Sequence, residues 1–385
     1  MTRHSRERRV SAAVLATMTA AAALALAPAA VADTAQHAVF VQTNDPTANT
    51  VVTYTRDGNG GLHEAGRYPT GGRGTTLGGA GPDALSSQGA LTYDAGHQLL
   101  YAVNGGSDTL TVFAVSGAHL TRLQTLPTGG AVPVSVGFAH DRVYVLDAGG
   151  EGAVTGFRVH DRRLTPIPGS TRGLGLGNAP LPDALSAPSQ VALTPDGADL
   201  VITTKTHNTL QVFPLDAAAR PSARPVANPS AGMIPYAVGF DRRGHVLVTE
   251  ATGSESSYAL TAGGRLETLS AAVATGEQGA PCWSVVVGAT VYTANTNSDS
   301  ITAFRIGHDG GLTLTDPSAI AATTDPAPID LAATGDGRFL YQLSAGAGAV
   351  DEYSVARDGS LHRIGSVTGL PVFDGKTGPQ GIAAS

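Results

Sequence analysis

One unit is written seven times along this chain. Each copy has a Pro-anchored apolar strand, an Asp/Gly turn, a strand that ends in a polar residue, and a strand centred on an aromatic. Clear copies run from Ser87 to Val115, Pro188 to Phe213 and Pro326 to Val355. The aromatic recurs as Tyr54, Phe113, Phe157, Phe213, Tyr258, Phe304 and Tyr353, at intervals of 44 to 59 residues. A repeat of about 50 residues is the length of one four-stranded propeller blade with its loops. Within each copy, apolar and polar residues alternate with the period of two that marks a half-buried strand. The turns repeat too: Pro195-Asp196-Gly197 and Gly335-Asp336-Gly337 join first and second strands, while His308-Asp309-Gly310 and Arg357-Asp358-Gly359 join the last two. Asp caps such a turn and Gly takes its positive φ. The expected fold is therefore all-β: a seven-bladed β-propeller of four-stranded antiparallel blades.

The chain ends predict how the ring shuts. Ala38-Val39-Phe40-Val41 matches the second strand of a unit, and the missing first strand appears at the far end, where Pro379-Gln380-Gly381-Ile382-Ala383 resembles Ser87-Gln88-Gly89-Ala90-Leu91. Pairing of the N- and C-terminal strands in one blade would close the ring and remove exposed strand edges.

Residues 1–32 read as a secretory signal rather than as part of the fold. Arg3, Arg6, Arg8 and Arg9 precede an apolar run from Val10 to Ala27, and Ala30-Val31-Ala32 supplies small residues for cleavage near Ala32. The competing reading, a retained anchor, suffers from the small residues and Pro28 that interrupt the run. Arg8-Arg9 leaves both the general and the twin-arginine export routes open. The expectation is a secreted protein whose mature part, residues 33–385, is a single propeller domain, monomeric and without a membrane span.

Charged residues are only 14% of the chain and the formal net charge is −7. No basic stripe exists to follow phosphates, so nucleic acid is not an expected partner. A single cysteine, Cys282, excludes an internal disulfide framework and reads as a buried structural thiol. The histidines show no zinc spacing, and no G-x-S-x-G nucleophile elbow occurs. Gly173 to Gly177 lacks the following helix of a dinucleotide site, and Asp57-Gly58-Asn59-Gly60 lacks the acidic twelfth ligand of a calcium loop. No metal and no cofactor are expected; a small-molecule or cell-envelope ligand is the expected partner.

In a propeller the second strands run to one face, and their ends should gather at the channel mouth. These ends are Asn44, Asn104, Asp147, Lys205, Glu250, Asn295 and Ser344. The starts of the innermost strands, Gln88, Gln190, Tyr236, Trp283, Asp330 and Gln380, belong to the same face. Such residues either satisfy backbone groups at strand ends or form a polar ring where titrating groups are perturbed and Trp283 offers a stacking surface. Two long connections, Thr70 to Ser87 and Thr171 to Pro188, cross that face and share Pro-Asp-Ala-Leu-Ser; the Asp in each fits a cap on a short turn.

The repeat with its P-D-G-x-x-L turn, the blade count and the swapped closing strand resemble the lactonase family of propellers, which includes 6-phosphogluconolactonases and carboxymuconate lactonizing enzymes. The likeness spans nearly all of residues 33–385. It implies hydrolysis or isomerisation of a lactone-like small molecule, by a histidine on a middle inner strand, an acidic residue ending the next second strand, and nearby arginines. Here Ser189 and Gln190 stand where the histidine would be, Glu250 keeps the acidic position, and Asn295-Thr296 replaces Asn-Arg. The resemblance thus points to Glu250 as general base. The strand-end reading adds Lys205 to stabilise charge and Gln190 to donate a hydrogen bond, with Gln88, Asn104, Asp147, Trp283, Asn295 and Asp330 around the ligand, a constellation that differs from the family's. The alternative expectation is a non-catalytic extracellular propeller that binds a ligand on its channel face.

Overall fold

The computed structural model describes residues 37–385. The expected signal segment lies outside the described residues. Strands dominate; the one helical element among the described residues is a single turn at Lys205–His207. No helix among them is long and apolar enough to cross a membrane.

Seven antiparallel sheets are arranged as the repeat predicts. The innermost strands are Ile382–Ala384 in blade 1, Leu91–Asp94 in blade 2, Pro133–Ala139 in blade 3 and Val191–Leu193 in blade 4. Blades 5, 6 and 7 contribute Pro235–Phe240, Pro281–Val287 and Pro328–Ala333. Each blade then runs outward through strands that pair in sequence order. In blades 3 and 6 the fourth strand is split. Arg163–Pro166 and Arg172–Gly173 both pair with Ala153–His160, and Leu312–Leu314 and Ala322–Thr323 both pair with Ser300–Ile306. Loops such as Ile167 to Thr171 break the outermost strand where only one face of it packs.

The seven aromatic markers are all at most 1% exposed and sit in the third strand of their blades. They form the layer between neighbouring blades. Phe213 packs with Leu200, Ile202 and the core of blades 2 to 4. Truncating so well buried a ring removes its transfer free energy and leaves a cavity. Phe213→Ala is expected to lower the free energy of unfolding by ~3–5 kcal/mol, read from a denaturant midpoint shift at unchanged m-value.

Ring closure follows the sequence. Val39, Phe40 and Val41 pair with Ala384, Ala383 and Ile382. The ladder extends through Gln380 N–H to Gln42 O (2.8 Å) and Ser385 N–H to Ala38 O (2.9 Å). Gly381, with φ +81°, lies against blade 2 so closely that a Cβ would sit 2.7 Å from the Leu91 nitrogen. The repeat of Gln88-Gly89 in Gln380-Gly381 thus reflects a close approach around the axis.

Candidate functional site

Four inner strands open with proline followed by a β-bulge: Pro133/Ser135, Pro235/Val238, Pro281/Trp283 and Pro328/Leu331. A bulge breaks the in-out alternation and re-aims a side chain. Trp283 borders one bulge and Asp330 lies inside another, which brings groups near the axis that strict alternation would place elsewhere.

The channel mouth where the second strands end is sealed. The segment Asp83 to Ser87 lies across it and is held from several blades. Lys205 Nζ donates to Ser86 O (2.6 Å) and Oγ (3.1 Å), Tyr236 OH to Asp83 Oδ2 (2.6 Å), and Trp283 Nε1 to Ser87 O (2.9 Å). Gln380 Oε1 accepts from Leu85 N–H at 3.1 Å. Asp83 also caps its own turn, accepting from Leu85 and Ser87. Its partner loop adds a bridge between Gly78 and Asp183. Lys205 is fully buried, and that burial pushes its ammonium down to about 7. Burial also drives the Cys282 thiol well above its ordinary range.

The polar strand ends do not share a rim. Apart from Lys205, they bond within their own blade or to the adjoining blade and its connecting loop. Asn104 Nδ2 donates to Thr109 and Thr111, and Asn295 Nδ2 to Ser300 and Thr302, at repeat-equivalent positions. Asp147, buried with Thr128 as its hydroxyl donor, is raised to about 8 by desolvation. Glu250 is wrapped completely: Oε1 accepts from Ser230 Oγ (3.2 Å) and Gly232 N–H (3.0 Å), Oε2 from Ser254 Oγ (2.7 Å), and its exposure is 0%. Of the residues expected at this mouth, Lys205 and Trp283 do meet there, under the sealing segment, whereas Glu250, Asn104, Asp147 and Asn295 are spent on other partners. Each finds a nearer partner within the fold, as polar groups removed from water must.

Three expected residues do come together. Gln88, Gln190 and Asp330 line an axial cavity of about 330 Å³. Gln88 spans the axis from blade 2 to blade 6: its Nε2 donates to Ser284 O (2.7 Å) and its Oε1 accepts from Ser284 N–H (3.0 Å). This crossbar, with Trp283 bonded above it, closes the inner end. Tyr93, Phe138 and Phe240 wall the other end and are half-buried rather than fully enclosed, so the channel opens where the inner strands finish. Sequence reasoning missed this mouth. Its signal was present in Val136-Gly137-Phe138 and Val238-Gly239-Phe240, where glycine makes room for the neighbouring strand: a Cβ at Gly137 would lie 2.7 Å from Val191 O.

At the blind end Asp330 is 2% exposed and accepts one clear hydrogen bond, from Leu331 N–H at 2.9 Å. Burial raises its carboxyl to about 8, against weaker opposition from the backbone amides of Leu331, Ile382 and Gly89. Gln190 Oε1 accepts from Val238 N–H at 2.7 Å. That bond orients the amide, and its Nε2 has no acceptor among the described residues. The cavity lining holds no Lys, Arg or His. No group of three or more His, Cys, Asp or Glu among the described residues could hold a metal ion. The arrangement offers a small ligand one titrating carboxyl and one free amide donor, between apolar walls.

No family model matches the chain, and no curated protein matches it in sequence. Solved structures do. A 6-phosphogluconolactonase-like protein of Bacteroides uniformis is 18% identical with a TM-score of 0.66, covering 91% of this chain and 100% of that one. The Pseudomonas aeruginosa periplasmic gluconolactonase PpgL is 18% identical with a TM-score of 0.65, covering 88% and 98%. A Lactobacillus plantarum protein is 17% identical with a TM-score of 0.69, covering 91% and 99%. What is shared is the fold. The chain's structural neighbours are 6-phosphogluconolactonase-like seven-bladed propellers, and its own axial groups carry the case for any chemistry.

Proposed function

We propose that this propeller is a lactonase-type hydrolase for a small uncharged lactone, with Asp330 as general acid–base at the blind end of the axial channel. The observation that carries this reading is a buried carboxyl, raised to about 8, that lines the same solvent-open axial cavity as a Gln190 amide whose Nε2 has no acceptor among the described residues. In its ionised form Asp330 takes a proton from water as the oxygen attacks the lactone carbonyl carbon. Gln190 Nε2 donates to the developing oxyanion. The ring C–O bond then breaks, and the proton on Asp330 passes to the departing ring oxygen, giving the hydroxy acid. This role replaces the one expected of Glu250, whose carboxylate no water reaches.

The absence of cationic side chains from the lining argues for an uncharged substrate, since phosphate recognition rests on Arg or Lys. The fold likeness to PpgL, a periplasmic gluconolactonase, and the export expected from residues 1–32 make sugar-derived lactones outside the cytoplasm the first class to try.

The test is hydrolysis of a panel of five- and six-membered lactones by wild type and variants. Asp330→Asn is expected to lower kcat/KM by roughly 10²–10⁴, the usual worth of general acid–base catalysis. Gln190→Leu is expected to cost about 10²-fold, as removal of an oxyanion donor does. Wild-type turnover that survives Asp330→Asn removes the proposed base. Saturable lactone binding without turnover, abolished by Asp330→Asn, gives instead a binding propeller with the same site.

A further inference from the structure

A second cavity lies between blades 6 and 7, on the face where the axial channel opens. Its volume is about 620 Å³, and it shares Phe240, Val285 and Ala333 with the channel mouth. Its floor includes Val285, Val286 and Val287, all half-buried, with Phe240 at one end. Four arginines line it: Arg242, Arg305, Arg338 and Arg357, every one exposed.

None of the four guanidinium groups forms a carboxylate ion pair among the described residues, whereas Arg67, Arg142, Arg158, Arg220 and Arg363 do. Arg305 Nη2 donates to Asp358 O (3.1 Å), and Arg338 lies over the Phe339 ring at 5.2 Å. Two carboxylates share the cavity, but both are engaged in their own turns. Asp336 accepts from Thr334 Oγ1 (2.6 Å) and Arg338 N–H (3.1 Å), and Asp358 from Ser360 Oγ (2.8 Å) and N–H (3.0 Å). The balance is four cations to two anions, on a chain whose net charge is −7. An apolar floor under a cationic rim suits a ligand with a flat apolar body and anionic ends. Guanidinium forks give such carboxylates two-point contact.

We propose that this groove binds an organic dianion of that class, an aromatic or similarly apolar dicarboxylate. The site is separate from the lactone chemistry of the channel and does not depend on it. A cavity of about 620 Å³ is of the size that takes a small molecule.

The test is calorimetric titration of the folded protein with 2,6-naphthalenedicarboxylate, and with uncharged 2,6-naphthalenedimethanol as the matched control. Wild type is expected to bind the dicarboxylate saturably, at least tenfold more tightly than the diol. The double variant Arg242→Gln/Arg357→Gln, in which neither replaced side chain makes a hydrogen bond among the described residues, is expected to lose that preference at least tenfold with its Tm unchanged. Binding should weaken as NaCl is raised from about 0.05 to 0.5 M, because the pairing is solvent-exposed. Asp330→Asn should bind the dicarboxylate as wild type does. The proposal is overturned by a dicarboxylate affinity indifferent to the arginine substitutions, by equal affinity for the diol, or by no saturable binding at millimolar ligand. Binding lost in Asp330→Asn but kept in the arginine variant would place the ligand in the channel and overturn it equally.

Discussion

A chain ending at Gly378 is expected to lose its cooperative thermal transition and to aggregate. The removed residues supply the inner strand of blade 1, whose three ladder pairs join the two ends of the chain. They also bury Ile382 and Ala383, at 4% and 6% exposure, against Val41, Phe40 and Leu91. Burying one Ile side chain is worth about 1.5–3 kcal/mol, and the ladder bonds add about 1 kcal/mol each. Gln380 further anchors the sealing segment through Leu85. The sum reaches the 5–15 kcal/mol that keeps a typical domain folded. The deletion also exposes the edge of Ala38–Gln42, a template for pairing with another chain. Circular dichroism melts with size-exclusion chromatography decide the matter. A truncated protein that stays monomeric and melts sharply within a few degrees of wild type would mean that the ring does not need its clasp.

The second large effect concerns pH. Burial holds Asp147, Glu255 and Asp330 each near 8, far above their ordinary carboxyl range, and Asp83 and Asp351 near 6. A carboxyl raised in the folded state keeps its proton there after the unfolded chain has released its own. The folded state then binds more protons, so stability falls as pH rises from about 4 towards the folded value. Each such group contributes up to ~1.4 kcal/mol per pH unit within that window. Lys205 acts in the opposite sense, gaining stability as pH rises, but only from about 7 towards its ordinary 10.5. Between pH 5 and 7 the carboxyls stand unopposed by it. The protein should therefore melt at a clearly higher temperature at pH 5 than at pH 7. Glu255→Gln should reduce that difference, because the amide keeps the Thr249 and Thr293 hydroxyls as partners without a charge to bury. A melting temperature that is flat, or that rises across this interval, would contradict the assignment of these carboxyls as protonated in the fold.

Much of the architecture was legible because it is local and repeated. The aromatic markers lie in the third strand of every blade, where period-two alternation places them between sheets. The clasp was legible because Gln380-Gly381 copies Gln88-Gly89, and both glycines take positive φ. The split fourth strands of blades 3 and 6 were not, since exposed outer strands carry only half a hydrophobic pattern. The site was legible in part. Gln88, Gln190 and Asp330 were found as inner-strand starts, and they do share a cavity. Glu250 was misplaced and the partner of Lys205 was missed for one physical reason. A polar strand end reveals that it needs partners but not whether they lie across the axis or in its own blade. For Lys205 the partner is Ser86, 119 residues away, a tertiary contact that no local pattern announces. The sealing of that mouth follows from the same long-range contacts.

The direct test of the central claim is the pH dependence of kcat/KM for the best lactone, corrected for the uncatalysed rate. A general base raised to about 8 at the blind end of the channel predicts activity that climbs tenfold per pH unit below that value and levels off above it. Asp330→Asn should lose this inflection together with the activity. A profile already level at pH 6, or an inflection that Asp330→Asn leaves in place, would contradict the assignment of the axial channel as the catalytic site.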